Sequence, residues 1–183
     1  AIPPGVAPIA YRLENDPFRT RFPAQWVIGR NLQFDVNGLS MDVQTPWCSG
    51  SLHCGLLGRF NASNLLATLA SLCVVGLPFQ EALRRLAVTR TVPGRMERFD
   101  MGEGRPLAVI DFAHTAAALE AVLRSLRAHC GGKLWCVFGA GGDRDRGKRS
   151  LMGAVAERYA DEIVLTDDNP RTEDAQRIID DIC

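Results

Sequence analysis

The chain has no surplus of charge of either sign: Lys plus Arg equals Asp plus Glu, so the formal net charge is zero. This excludes a general electrostatic attraction to nucleic acid or to an anionic membrane surface. It has no apolar run long enough to span a bilayer and no signal-peptide pattern. The expectation is a cytoplasmic protein without membrane insertion. The six cysteines (Cys48, Cys54, Cys73, Cys130, Cys136 and Cys183) include no C-x-x-C pair. All six are read as reduced, with Cys73 and Cys136 acting as small hydrophobes in apolar runs. Cys48, His53 and Cys54 lack an evident fourth ligand, so no zinc site is expected there. An initiating Met is also lacking, and the last residues, AQRIIDDIC, stop inside a helical pattern, which suggests a piece of a longer protein. What is present, 183 residues at 46% hydrophobic and 23% charged, is ordinary globular composition for one or two domains.

The most informative stretch runs from Leu134 to Arg171. An apolar run (Leu134 to Phe138) meets a glycine-rich turn, then a helical pattern from about Lys148 to Tyr159. A second apolar run (Ile163 to Leu165) ends in Thr166, Asp167, Asp168, Asn169, Pro170 and Arg171. Strand, helix, strand is the form of a parallel βαβ unit, whose ligands bind off the carboxyl ends of the strands. Both polar clusters, Gly139–Arg149 and Asp167–Arg171, should therefore lie side by side on that edge. Gly142-x-x-x-x-Gly147-Lys148 has phosphate-loop spacing, but Arg149 stands where Ser or Thr must bind magnesium. Gly139-x-Gly141 begins a dinucleotide fingerprint, but Arg144 takes its third glycine position. A P-loop and a nicotinamide oxidoreductase site are both disfavoured. What remains is a charged turn carrying Asp143, Arg144, Asp145, Arg146, Lys148 and Arg149 before a helix N-terminus, an end that favours anions.

Elsewhere, Ala1 to Ala24 is rich in Pro and charge with little periodicity. Leu32, Phe34 and Val36, then Asn37-Gly38, then Leu39, Met41 and Val43 read as a hairpin. With a further strand over Ser51 to Leu57, this makes a small antiparallel sheet. A helix follows Gly58 with Leu65, Leu66, Leu69, Leu72 and Cys73 inward, ended by Gly76, and Pro78 starts another. Asn61 sits where an N-cap belongs, with capping and ligand binding both open. Thr91 to Arg95 has the punctuation of a domain linker. Two strands, Met96 to Asp100 and Pro106 to Ile110, precede Asp111 and His114 and a helix from about Ala116 to His129. Asp111 closes an apolar strand before a helix, a typical binding-site position, whereas His114 alone reads as a cap or a packed side chain. The later half runs strand, strand, helix, strand, helix, strand, helix, its last three strands expected in a parallel sheet.

Five motifs stand in one order: Gly-Arg-Phe-Asn-x-x-Asn (58–64), Pro-Gly-Arg-Met-Glu (93–97), Asp-Phe-Ala-His-Thr (111–115), Phe-Gly-x-Gly-Gly-Asp-Arg-Asp-x-Gly-Lys-Arg (138–149) and Thr-Asp-Asp-Asn-Pro-Arg (166–171). Together they closely resemble the Mur ligases over roughly Arg30 to Cys183. Two departures are Phe112, where the family usually has Tyr, and Ala116, where it usually has Pro. The resemblance implies an α/β chain. Residues 1–92 would end the central ATPase domain, as a small antiparallel sheet plus helices. Residues 93–183 would begin a truncated Rossmann-like C-terminal domain. The P-loop, the magnesium carboxylates and the carbamylated lysine would lie outside this chain, so no catalytic residue is expected here and the chain alone should be inactive. The implied reaction is ATP-dependent amide ligation. The carboxylate of UDP-MurNAc-L-Ala-D-Glu becomes an acyl phosphate, and the amine of the third amino acid, meso-diaminopimelate, attacks it. ATP and Mg2+ are the implied cofactors and the UDP-MurNAc-dipeptide and meso-diaminopimelate the partners of a monomer. Carried over by motif, Asn61, Arg95, Asp111 and His114 would contact ATP. Arg144, Asp168, Asn169 and Arg171 would hold meso-diaminopimelate. An L-lysine-adding ligase of the same family and a non-catalytic phosphate-binding module are the alternatives.

Overall fold

The structure is a computed structural model that describes residues 5–17 and 24–183. The chain divides into two compact units, Ala1–Thr91 and Val92–Cys183. Among the described residues no helix is long and apolar enough to cross a membrane.

The first unit is a four-stranded sheet covered by two helices. Its strands are β1 (Ile9–Leu13), β2 (Gln25–Asp35), β3 (Gly38–Gln44) and β4 (Ser49–Cys54), in that order across the sheet. Alternation on β3 and β4 sends Leu39, Met41, Val43 and Leu52 inward, each at most 4% exposed. They meet Leu65, Leu66 and Leu69 of α1 (Arg59–Val74) and Ala82, Leu83 and Leu86 of α2 (Phe79–Ala87) in one core. Each fully buried leucine contributes about 1.5–3 kcal/mol, so this core is what holds the unit.

Three expectations change here. The stretch Ala1 to Ala24 contains β1, which pairs parallel with β2, so the sheet is mixed rather than wholly antiparallel. Five residues with Ile9 and Leu13 as their inward groups give too short a pattern to register as a strand. Residues 1–4 and 18–23 of that stretch lie outside the described residues. The hairpin loop is Val36-Asn37, one residue earlier than the motif suggests, with Asp35 opposite Gly38. Gly38 is needed on the strand itself: its φ is 140°, and a Cβ there would overlap the Cys54 carbonyl. Val36 is therefore an exposed loop tip rather than an inward residue. Finally, α1 begins two residues before Asn61, with Gly58 at the N-cap. Its end follows expectation: Leu77 N–H bonds Leu72 O (3.0 Å) and Gly76 N–H bonds Cys73 O (3.1 Å), a Schellman closure around Gly76 at φ 93°.

The second unit contains β5 (Glu97–Asp100), β6 (Leu107–Ile110), α3 (Ala116–Arg127), β7 (Trp135–Phe138), α4 (Gly147–Tyr159), β8 (Glu162–Leu165) and α5 (Ala175–Ile182). The order of elements is as expected. β7 and β8 pair in parallel, Trp135 opposite Glu162 through Phe138 opposite Leu165. β6 instead pairs antiparallel with β5, its neighbour across a short turn, and forms no ladder with β7. An apolar pattern marks β6 as a strand but does not name its partner, which the rest of the sheet decides. Leu119 and Leu123 of α3, Cys136 of β7, and Met152 and Ala156 of α4 form one core cluster, and Ile178 and Ile182 of α5 join Ala140 in another. Burial pushes the Cys136 thiol up to about 11, which makes it inert packing.

Candidate functional site

Parallel pairing of β7 and β8 brings their two following loops together. Gly142 N–H donates to Asn169 O at 3.1 Å, and Thr166 N–H to Phe138 O at 3.0 Å. The approach depends on glycine: a Cβ on Gly142 would overlap the Pro170 carbonyl, and one on Gly139 the Thr166 carbonyl. The side-by-side placement read from the βαβ pattern is thus found.

The charged turn is less free than its composition suggests. Arg149, one of the cations of that turn, is completely buried. Its guanidinium donates to Glu173 Oε1 (2.8 Å), Glu173 Oε2 (3.1 Å) and Asp181 Oδ2 (2.7 Å). Arg146 also pairs with Glu173 at 2.8 Å. These bonds, led by those from Arg149 and followed by the Asp143 N–H, hold the Glu173 carboxyl at about 2. A cation in the first turn of a helix is unfavourable to the dipole, and the two carboxylates offset this. Asp143 turns to the second loop, accepting from Thr172 Oγ1 (2.7 Å). Lys148 Nζ donates to the His114 carbonyl at 3.0 Å.

Once these groups are engaged, exposed polar side chains remain on the edge, among them Arg144, Asp168, Asn169 and Arg171. None of these four makes a side-chain hydrogen bond or ion pair among the described residues. They are the four residues expected to hold the amino acid, and the structure brings them together on two bonded loops. Neither Asp168 nor Asn169 caps the next helix. The N-cap of α5 is Asp174, which accepts from Arg177 N–H at 3.0 Å. Asp143, Asn169 and Arg171 have φ of 52°, 29° and 53°, a conformation that non-glycine residues rarely adopt and that concentrates at functional sites.

A second group forms where the linker meets the end of β6. Asp111 accepts from Met96 N–H and Ala113 N–H, both at 2.9 Å. Phe112 N–H donates to Gly94 O at 2.8 Å. The Arg95 guanidinium lies over the exposed Phe112 ring, 5.2 Å from its centre, a cation–π contact. His114 is exposed, with Nδ1–H donating to Phe112 O at 3.1 Å. It neither caps α3, whose cap is Thr115, nor packs in the core. In the first unit, the Asn61 amide donates to Leu57 O at 2.8 Å and sits inside the first turn of α1, so it is not the N-cap.

Sequence reasoning missed Arg149, Asp143 and Glu173 as the groups that build this edge. A signal for the first existed: Arg149, Met152 and Ala156 recur at helical spacing on the buried face of α4.

In an α/β unit the loops that follow parallel strands are where ligands usually bind, and here two such loops are bonded side by side. Residues 94–183 match the family described as Mur ligase, glutamate ligase domain, and the chain belongs to the Mur ligase family. It is 54% identical over 156 residues to the UDP-N-acetylmuramoyl-L-alanyl-D-glutamate–2,6-diaminopimelate ligase of Coxiella burnetii, covering 85% of this chain and 32% of the relative. The chain thus spans about a third of the length of that curated relative. A solved structure of a ligase with the same name matches at TM-score 0.70 and 32% identity, over 96% of this chain and 40% of that one. The folylpolyglutamate synthase of Thermotoga maritima matches at TM-score 0.68 and 20% identity, over 93% of this chain and 38% of that one, and shares the fold.

Proposed function

We propose that this chain is part of a cytoplasmic, ATP-dependent amide ligase that adds meso-diaminopimelate to UDP-MurNAc-L-Ala-D-Glu in peptidoglycan precursor synthesis. Residues 1–92 would be the end of its central ATPase domain and 93–183 the beginning of its C-terminal domain. The observation that carries the reading is the pair of bonded loops presenting Arg144, Asp168, Asn169 and Arg171 unpaired. The 54% identical diaminopimelate ligase supports the choice of substrate.

Arg144 and Arg171 supply guanidinium groups for carboxylates, which they bind through paired hydrogen bonds. Asp168 and Asn169 supply oxygens for an ammonium. Arg95, Asp111, His114 and Asn61 would contact ATP. Asp111 keeps acceptor capacity beyond its two backbone bonds, and Arg95 stays exposed over Phe112. Acyl phosphate formation makes the carboxyl carbon electrophilic, and the amine then attacks with phosphate as leaving group. These residues position the amine and offset charge rather than form bonds. By the family resemblance the magnesium carboxylates lie outside this chain, so no residue here is assigned to magnesium.

The test is phosphate release by the complete protein, given ATP and the UDP-dipeptide with meso-diaminopimelate, with L-lysine, or with neither. Release that depends on diaminopimelate is expected. Equal use of lysine would mark a lysine-adding ligase. Nucleotide binding without turnover would mark a non-catalytic module.

A further inference from the structure

The free guanidiniums of Arg144 and Arg171 are each one residue from a group that bonds the opposite loop. Asp143 N–H donates to Glu173 Oε1 at 2.6 Å, from the first loop to the second. Thr172 donates back, from Oγ1 to Asp143 Oδ1 at 2.7 Å and from N–H to Asp143 Oδ2 at 3.3 Å. Each loop thus supplies one carboxylate and one donor set to the other. Glu173 is in turn bonded to Arg149, which reaches Gly141 O (3.5 Å) at the base of the first loop and Asp181 on α5. The cross-links therefore end in the protein interior. Asp143 and Arg171 both hold φ above 50°, so the surrounding bonds must offset a local backbone cost.

We propose that Asp143 and Glu173 are positioning residues whose reciprocal bonds set the separation of Arg144 and Arg171, and thereby select an amino acid with a carboxylate at each end over one with a single carboxylate. This rests on the functional reading above and adds to it the residues that enforce the specificity. Neither carboxylate is itself a ligand group. Glu173 is 11% exposed with both oxygens engaged, and Asp143 has both oxygens on Thr172. The separation matters because a guanidinium discriminates only where its partner oxygens fall at hydrogen-bond distance. Small misplacements remote from the reacting atoms can cost about a hundredfold in rate.

The test compares the complete enzyme with its Glu173→Gln, Asp143→Ala, Asp143→Asn and Thr172→Val variants, varying each substrate in turn and competing meso-diaminopimelate against L-lysine. In Glu173→Gln and Asp143→Ala the KM for diaminopimelate should rise about tenfold or more, with preference over lysine falling in step. The KM for ATP and for the UDP-dipeptide should hold. Asp143→Asn should recover much of the loss, because Asn accepts a hydrogen bond and tolerates positive φ. Thr172→Val, which removes one exposed hydroxyl, should show a smaller rise with the fold intact. Lowered thermal midpoints with an unchanged diaminopimelate KM would make the cluster purely structural and overturn the inference alone. Absence of diaminopimelate-dependent turnover in the unmodified enzyme would overturn the functional reading and this inference with it.

Discussion

Arg149 and Glu173 form a bidentate pair, with guanidinium nitrogens 2.8 and 3.1 Å from the two carboxylate oxygens and no part of the arginine side chain exposed. One residue belongs to the first turn of α4 and the other to the turn before α5, so the pair ties both candidate ligand loops to the helical layer. An ion pair in such a place is not strongly stabilising against an apolar replacement of both partners, but removing one partner strands the other. Arg149→Met should therefore destabilise the protein by about 3 kcal/mol. This is the low end of the usual range because Arg146 and the Asp143 N–H still face Glu173. Arg149→Lys should recover less than half, since an ammonium cannot make the paired bonds. Denaturant unfolding of the three proteins measures both values.

The same pair sets an acid limit. Arg149, then the Asp143 N–H, hold the folded-state Glu173 carboxyl at about 2, below its ordinary 4.5. A depressed carboxyl stabilises the fold above its unfolded-state value and loses that contribution as pH falls toward its folded-state value. Stability should be flat with respect to this group above about pH 5 and decline between about pH 4.5 and 2. Glu173→Gln should flatten the slope in that window while lowering stability at neutral pH. Chemical denaturation from pH 7 to pH 2.5 tests this. An unchanged slope in the variant would locate the acid sensitivity elsewhere.

Much of this was legible before any coordinates. The alternating and helical periods placed the strands and helices of the second unit in order, because each carries its own apolar pattern. The two polar clusters were brought together by topology alone, since parallel strands put successive loops on one edge. What could not be read was which charges face inward. Arg144 and Arg149 lie in one run of mixed charge, and only packing distinguishes the solvent-facing side chain from the buried one. Glu173 falls outside the motifs, and its importance depends on a contact 24 residues away in sequence. β1 escaped because five residues give too little alternation. The β6 pairing escaped because a strand's partner is a property of the whole sheet rather than of its own sequence.

Asp111 has a structural part as well as its proposed contact with ATP. A polar residue at a strand end with no partner would be replaceable with little effect on folding. The two oxygens of Asp111 instead accept Met96 N–H and Ala113 N–H, fastening the linker to the end of β6. Asp111→Ala leaves both donors without that partner and should cost about 1–3 kcal/mol, in addition to any effect on ATP use. Arg95→Ala should cost less, because Arg95 is exposed and its cation–π contact with the exposed ring is worth about 0.5–1 kcal/mol. Thermal denaturation beside the KM for ATP separates the two. The reading predicts a weakened ATP step in both variants and a lowered midpoint chiefly in Asp111→Ala.

Arg171 carries the sharpest prediction about substrate. Its side chain has no partner among the described residues, and Pro170, whose ring fixes φ, precedes it. A side chain with nothing to hold in the free protein is dispensable for folding, so Arg171→Ala should leave the thermal midpoint within experimental error. The functional effect should be large. Meso-diaminopimelate differs from lysine by one carboxylate at its far end, and a hydrogen bond to such a charged group contributes about 1.5–3 kcal/mol. Sites that hydrogen-bond a substrate group can reject the analogue lacking it by about 10⁴-fold. In the complete enzyme, Arg171→Ala should raise the KM for diaminopimelate and collapse its preference over lysine, while Arg171→Lys should restore charge but only part of the discrimination. An unchanged preference in Arg171→Ala would remove Arg171 from the site and leave Arg144 as the remaining unpaired guanidinium of that edge to carry recognition.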